Sequence, residues 1–266
     1  LVGCGHMGYA LLNAWLNLKN FSFTVVDPLN YKNLKKNLQS KKVYFYSKAP
    51  SKDQMKNFDI IIFAIKPQVA AKVINEYKDF NLKKNNAICS IVAGKKINFF
   101  KQKIKNSNQI VRIMPNMPAL INKGVSCLTG NKELNSKNKK IINSLFSKVG
   151  KTIWVKNENY IDKATSLSGS GPGYFFTLIN SFEKVSKKMG FSDEVSRELI
   201  ISTLVGSAEL MKKTKKGPEF LANLIAVKGG TTEAGIKVLN KNKIDKIISD
   251  TVIAAYKKAL ILGKNK

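Results

Sequence analysis

A Gly3-x-Gly5-x-x-Gly8 run separates an apolar start, Leu1-Val2, from an apolar-faced helical stretch, Tyr9-Ala10-Leu11-Leu12. Glycines at that spacing allow a tight turn, close approach of a pyrophosphate and close packing of helix on strand. The motif alone is weak, but its context strengthens it. A second apolar run at 21–26 ends on Asp27, 19 residues after Gly8. Further runs at 43–46, 59–65, 87–92 and 109–114 alternate with helical stretches at 68–80 and 96–105. The 59–65 run is almost continuously apolar, as a strand covered on both faces must be. This alternation predicts an α/β Rossmann domain, a doubly wound and mostly parallel sheet with helices on both sides. A strand near 124–128, a helix near 134–148 and a strand near 151–155 complete it. The chain begins already inside a strand-like run, which implies that a few residues of that strand precede this sequence.

Ligands of such sheets sit at the carboxyl ends of the strands. The loops expected there are Ile65-Lys66-Pro67-Gln68, Ala93-Gly94 and Met114-Pro115-Asn116-Met117-Pro118. Asp27 has two readings. Its carboxylate can accept from a ribose 2′-hydroxyl and repel a 2′-phosphate, or it can cap the helix that follows. Lys32 and Lys35 stand close enough in sequence to soften the first preference.

Beyond Trp154-Val155 the alternation stops and helical spacing takes over. The breaker cluster Ser168-Gly169-Ser170-Gly171-Pro172 opens a long apolar helix at 174–189, and helices at 193–212, 217–225, 232–241 and 243–262 follow. The expected division is a dinucleotide-binding domain over 1–156 and an all-α domain over 157–266. Several of these helices are apolar on more than one face, which points to an intimate dimer.

Within the second part lies Gly229-Gly230-Thr231-Thr232, at the start of a helix read from Glu233-Ala234-Gly235-Ile236-Lys237-Val238-Leu239. Amides at a helix start lack intrahelical partners and can seat a carboxylate, while two hydroxyls orient a neighbouring polar atom. The plainer alternative is a glycine-rich turn with an ordinary threonine cap.

Composition limits the function classes. The net charge is +29, yet only two of the 46 basic residues are arginines. Residues 1–156 carry 28 basic and 6 acidic groups, and the rest carry 18 and 11. Scattered lysines without arginine clusters argue against nucleic-acid recognition and fit a solvated surface that steers small anions. Three widely separated cysteines argue against a disulfide framework and a zinc site, and suit a reducing, cytoplasmic setting. No apolar run approaches the ~18 residues of a membrane span.

Five stretches in order then resemble pyrroline-5-carboxylate reductase: Gly3-x-Gly5-x-Met7-Gly8, Ala64-Ile65-Lys66-Pro67-Gln68, Arg112-Ile113-Met114-Pro115-Asn116-Met117-Pro118-Ala119, Leu167-Ser168-Gly169-Ser170-Gly171-Pro172, and Gly229-Gly230-Thr231-Thr232 with Glu233-Ala234-Gly235. The resemblance covers nearly the whole chain. It implies reduction of Δ1-pyrroline-5-carboxylate to proline with NADH or NADPH, by a Rossmann domain and a helical domain whose dimerisation completes the site; the family often assembles five dimers into a ring. It also implies roles for residues. Gly3, Cys4, Gly5, His6, Met7 and Gly8 hold the pyrophosphate; Ala64, Ile65, Lys66, Pro67, Ala93 and Gly94 line the cofactor, and Ser51 stands near its adenosine end. Gly230, Thr231 and Thr232 bind the substrate, with the Thr232 hydroxyl on the ring nitrogen as the catalytic contact, and Glu158 matches an acidic residue near it.

The chain departs from the family at His6, commonly Asn, at Val227-Lys228, commonly Ser-Pro, and at Gly173, commonly Ala. Many members carry an arginine after the second strand for a 2′-phosphate; its absence, with Asp27, favours NADH. A β-hydroxyacid dehydrogenase of the same architecture would need a lysine on the helix after the glycine cluster, and Tyr174-Phe175-Phe176-Thr177-Leu178-Ile179-Asn180 offers none. A non-catalytic nucleotide-binding protein would have no use for the Thr231-Thr232 loop.

Overall fold

The structure, a computed structural model, describes residues 1–38, 42–55, 57–79, 82–83, 85–104 and 108–264. Its elements run α1 (His6–Trp15), β1 (Phe23–Val26), α2 (Tyr31–Asn37), β2 (Val43–Tyr46), α3 (Lys52–Met55), β3 (Ile60–Phe63), α4 (Ala70–Asn75), β4 (Ala87–Ser90), α5 (Ile97–Lys103), β5 (Gln109–Met114), β6 (Gly124–Gly130), α6 (Ser136–Phe146), β7 (Gly150–Trp154) and α7 (Glu158–Ala164). Five further helices follow: α8 (Gly171–Lys188), α9 (Asp193–Thr214), α10 (Pro218–Ile225), α11 (Thr231–Lys241) and α12 (Ile244–Lys264).

Strands β1 and β2 pair in parallel, and β3 to β7 form a second strip in sequence order. The two strips are joined by the segment Leu1–Gly3, centred on Val2. Val2 bridges Val26 on one side and Phe63 on the other, both in parallel. Its amide donates to Ile62 O at 2.8 Å, and its carbonyl accepts from Ala64 N at 2.8 Å. On the β1 side Val26 N donates to Leu1 O at 2.9 Å and Gly3 N to Val26 O at 2.8 Å, and Gly3, at φ +88°, turns the chain away from this pairing.

Alternation along the strands places Ile61, Phe63, Ile88 and Ile110 on one face and Ile62, Cys89, Val111 and Ile113 on the other. Both faces are covered, the first with Ile74 and Phe100, the second with Trp15 and Phe146. Helices α4 and α5 therefore back one side, and α1 and α6 the other, as the apolar runs predict. The expected helix over 68–80 is a 3₁₀ turn (Pro67–Val69) followed by α4; the ends expected at 80 and 105 lie outside the described residues.

One pairing reverses direction. β6 runs antiparallel to β5, with Ile113 opposite Leu128. The connection is a 3₁₀ turn (Met117–Ile121) closed by Asn122 in the left-handed region, too short for a helical crossover.

The chain divides into two compact units, Leu1–Ser170 with Ala255–Lys266, and Gly171–Ala254. The division falls further along than the change in sequence character at 156, for a physical reason. Arg112 on β5 donates from Nη2 to Asp162 Oδ1 on α7 at 2.6 Å, and its Nη1 faces Glu158 Oε1 at 3.5 Å. The Arg112 and Asp162 side chains are 4% and 1% exposed, so this ion pair locks α7 to the sheet away from water. After α7 the backbone makes a π-turn over Thr165–Gly169, closed by Ser170 N donating to Thr165 O at 2.8 Å, and the second unit begins.

The second unit is helical and keeps little inside. Gly171 is the buried residue of α8 and Ser196 that of α9, while α10 and α11 bury none. Phe175, Phe176, Phe182, Leu199, Val205, Leu224 and Val238 are all exposed. Apolar exposure on this scale marks an association surface.

Removing one member of a buried pair strands the other's charge, which costs about 3–5 kcal/mol. Asp162→Asn should therefore lower the urea midpoint of the first unit by an equivalent amount, read from Trp15 and Trp154 fluorescence. Arg112→Met with Asp162→Leu should recover most of that loss. A shift below about 1 kcal/mol in the single variant would show that the pair does not hold α7 in place.

Candidate functional site

The glycine turn is built by three contributions. At Gly3 a Cβ would lie 2.6 Å from Ala64 O, and the positive φ already excludes other residues. At Gly8, the first turn of α1, a Cβ would lie 2.5 Å from Gly3 O, so only hydrogen lets the helix close on the turn. Gly5 differs: nothing stands within 4 Å of where its Cβ would be. The space before Gly5 is open, and it faces the first amides of α1, which have no carbonyl partner within the helix. His6 is exposed and Met7 half-buried at this edge. An open cradle at the start of a ten-residue helix fits a pyrophosphate.

Asp27 holds that cradle in shape. Its Oδ2 accepts from Cys4 N at 2.6 Å and Asn30 Nδ2 at 3.3 Å. Its Oδ1 accepts from Leu29 N at 3.0 Å and Asn30 N at 2.8 Å. Four donors fill both oxygens of a residue 7% exposed. The Asp27 carboxylate closes the turn at Leu29 and Asn30 and ties it to Cys4 N, while the cap position of α2 falls to Asn30, which makes no side-chain cap bond. Cys4 is committed, its amide to Asp27 and its side chain to the core with Leu12, Val25 and Leu34. Burial, aided by the Asp27 charge, pushes the Cys4 thiol up to about 12, so it stays neutral.

Other expected positions gather at the same strand ends. Ala64 and Ile65 are half-buried beside the cradle, with Lys66 exposed and Pro67 opening the 3₁₀ turn. Ala93 is half-buried, but Gly94, at φ +75°, is buried against α12, where a Cβ would lie 2.8 Å from Leu262 O. Gly94 thus makes room for a helix end. Ser51 forms a capping box with Gln54 at the start of α3: Ser51 N donates to Gln54 Oε1 at 2.9 Å and Gln54 N to Ser51 Oγ at 3.3 Å. Glu158 accepts from Ile97 N at 2.9 Å through Oε1, the same oxygen that faces Arg112. It borders an open cleft of about 400 Å³ with Thr129, Lys156 and Asn159.

The second unit carries the threonine loop. Gly229 takes φ +79°, and Gly230 N donates to Val227 O at 2.9 Å, closing a tight turn ahead of α11. Thr231, Thr232 and Glu233 then fill the first three helical positions, whose amides no intrahelical carbonyl reaches. Thr231 is exposed and Thr232 half-buried. Lys228 and Val227 are exposed before the turn. Among the described residues no group of His, Cys, Asp and Glu could hold a metal ion.

Two contributors went unread in the sequence. Arg112 is one of two arginines and interrupts an apolar strand, which is the signal of a buried charge with a partner. Glu233, three residues after the cap Gly230, has the spacing of a capping-box acid, and Gly229 N donates to its Oε2 at 2.8 Å.

Known proteins resemble this chain across both of its units. The family described as pyrroline-5-carboxylate reductase dimerisation matches residues 158–262, and one described as NADP oxidoreductase, coenzyme F420-dependent, matches residues 1–94. A pyrroline-5-carboxylate reductase of Arabidopsis thaliana is 33% identical over 81% of this chain and 77% of its own. The solved pyrroline carboxylate reductase of Plasmodium falciparum with NADP bound superposes with TM-score 0.84 at 30% identity, covering 99% of this chain and 97% of that one. A pyrroline-5-carboxylate reductase from Coxiella burnetii gives TM-score 0.88 at 26% identity, with the same coverage.

Gly5 and Gly8 separate binding from folding. Gly5→Ala meets no atom, so its melting temperature should match the parent's while NADPH affinity, followed by the fluorescence of the dinucleotide, falls by about tenfold or more. Gly8→Ala must push the helix off Gly3 and should cost about 1–3 kcal/mol of stability as well. Parent-like affinity in Gly5→Ala would show that no dinucleotide approaches the cradle there.

Proposed function

The chain belongs to the pyrroline-5-carboxylate reductase family, and from that premise we propose how its residues divide the work. It reduces Δ1-pyrroline-5-carboxylate to L-proline with a hydride from NAD(P)H, the closing step of proline biosynthesis. The observation that carries the reading is the presence in one chain of two open helix starts, one behind a glycine cradle and one behind a glycine-threonine turn.

The cradle at Gly3 to Gly8 would hold the dinucleotide pyrophosphate, with Ala64 to Pro67 and Ala93 along the adjoining strand ends. A bound reduced nicotinamide supplies the hydride. Amides at Thr231 and Thr232 seat the substrate carboxylate, and the Thr232 hydroxyl orients the ring nitrogen. A cyclic imine can bind already protonated from solution, and the protonated form is the better electrophile. The residues therefore need no strong general acid, which accords with a single histidine, His6, standing at the cradle. Positioning is the main contribution, and oriented reactants can gain about 7–11 kcal/mol that way. Glu158 supports this reading less directly than it supports the fold, because its carboxylate already serves Ile97 and Arg112.

The coenzyme is a nicotinamide dinucleotide. Asp27 favours NADH through a ribose 2′-hydroxyl, but four donors already offset part of its charge and weaken its repulsion of a 2′-phosphate. With Lys32 and Lys35 exposed on α2, a 2′-phosphate meets cations rather than a bare anion, so NADPH serves at least as well as NADH. Oligomerisation is homotypic through the dimerisation segment; a dimer, and a ring of five dimers, is the assembly the family resemblance favours. Three buried free thiols accord with a reducing, cytoplasmic compartment.

Steady-state rates with pyrroline-5-carboxylate, run in parallel with NADH and NADPH, test the activity and the coenzyme together; oxidation of neither would end the reading. Thr232→Ala should lower kcat/KM by about 10–100-fold, on the order of 1.4–2.7 kcal/mol. Wild-type turnover in that variant would remove the role given to its hydroxyl.

A further inference from the structure

The threonine loop carries an internal anion. Glu233 reaches back across the start of α11 and accepts from Gly229 N at 2.8 Å through Oε2, while its Oε1 pairs with Lys237 Nζ at 3.0 Å. The acid belongs to the positive end of the helix that is also the seat for a substrate carboxylate. Two anions at one helix start compete unless the internal one is held aside and its charge balanced. Both conditions are met here. Gly229 lies outside the helix, so the carboxylate is drawn to the turn and away from the Thr231 and Thr232 amides. Lys237, one turn further on, supplies the opposite charge.

We infer that Glu233 is a positioning residue: it clamps Gly229 so that the turn presents the Thr231 and Thr232 amides to the substrate carboxylate, with Lys237 cancelling the charge it brings. The inference rests on the reading of this loop as the substrate seat. The clamp needs an acceptor at that place and not a negative charge as such. The amide of Gly229 and the charge of Lys237, in that order, hold the Glu233 carboxyl below the usual carboxylate range. A depressed folded value means that the added stabilisation from the charged form is present above the ordinary carboxylate range and is lost as pH falls through the lowered one, while the carbonyl oxygen remains an acceptor. The clamp is therefore complete at neutral pH.

Three variants separate acceptor, charge and fold. Glu233→Ala should raise KM for pyrroline-5-carboxylate by about five- to tenfold with kcat within about twofold and NADPH affinity unchanged. Glu233→Gln keeps an acceptor oxygen and should restore KM to within about twofold of the parent. Lys237→Ala leaves the Glu233 charge unbalanced; KM should rise about two- to fivefold, less at high salt, and Glu233→Gln added to it should reverse the rise. Amide exchange at Gly229 reads the clamp without substrate: it should speed up in Glu233→Ala and stay slow in Glu233→Gln.

An unchanged KM in Glu233→Ala, equal damage in Glu233→Ala and Glu233→Gln, or a parallel loss of NADPH affinity would each overturn the inference. A parent chain that does not turn over pyrroline-5-carboxylate would overturn the substrate reading instead. In that case unchanged Gly229 exchange in Glu233→Ala would overturn the clamp as well, and faster exchange would leave the clamp standing as a fact of the loop.

Discussion

The nucleotide half depends on one carboxylate turned inward. Asp27 ends β1 and returns both oxygens to the backbone around it, to Cys4 N in the glycine turn and to Leu29 and Asn30 in its own. The cradle and the chain after β1 are thereby tied at a single point, where two loops leave adjacent strand ends. Hydrogen bonds to a charged acceptor are the stronger kind, and in a buried setting their loss would leave a bare carboxylate in the core edge. Val2 completes the same junction from the other side by bridging β1 and β3. The pre-formed shape of the cradle follows from this junction, since Gly5 contributes only open space.

A second inward charge does for α7 what Asp27 does for the cradle. Arg112 sits in a strand whose neighbours Val111 and Ile113 are fully covered, and its partner Asp162 is equally hidden. Such a pair adds little net stability relative to an apolar replacement, but it fixes geometry: the guanidinium reaches Asp162 and Glu158 together only in one placement of α7. Glu158 in turn accepts from Ile97 N, so the start of α5 is set by the same cluster. The backbone after β4 is positioned by charges that lie below it.

Much of this was readable from residue order. The strands at 43–46 and 109–114 were legible to the residue, because short apolar-rich runs set between polar segments have few other solutions. The turn at Gly3 and the close helix packing at Gly8 were legible too, since each spacing demands a particular backbone approach. What escaped was information that a one-dimensional pattern does not encode. The direction of β6 follows from a connection too short for a crossover, not from periodicity. Asp27 was seen as an acid at the right distance, but which donors would claim it depended on how the chain turned at Leu29 and Asn30. Glu158 and Arg112 were visible as residues, while their partners lay 61 and 50 positions away. Glu233 was within reach: an acid three positions after a glycine cap is a local signal, and it was passed over as part of a helical face.

The exposed helices give assembly and chemistry a common cause. Large apolar side chains on α8 and α9, such as Phe182 and Leu199, are more than half exposed and each stand to gain about 1–2 kcal/mol when the rest is covered, and the second unit fully buries almost none of them by itself. A helical unit so poor in core holds its shape through association, and the association segment of this family spans the same helices. The Gly229–Thr232 turn belongs to that unit, so the helix start that carries the Thr231 and Thr232 amides gains from whatever stabilises the assembled form. Subunit association and order in the turn are then linked equilibria, each strengthening the other by mass action. The open cradle of the first unit has no such dependence, because Asp27 and Val2 close it from within.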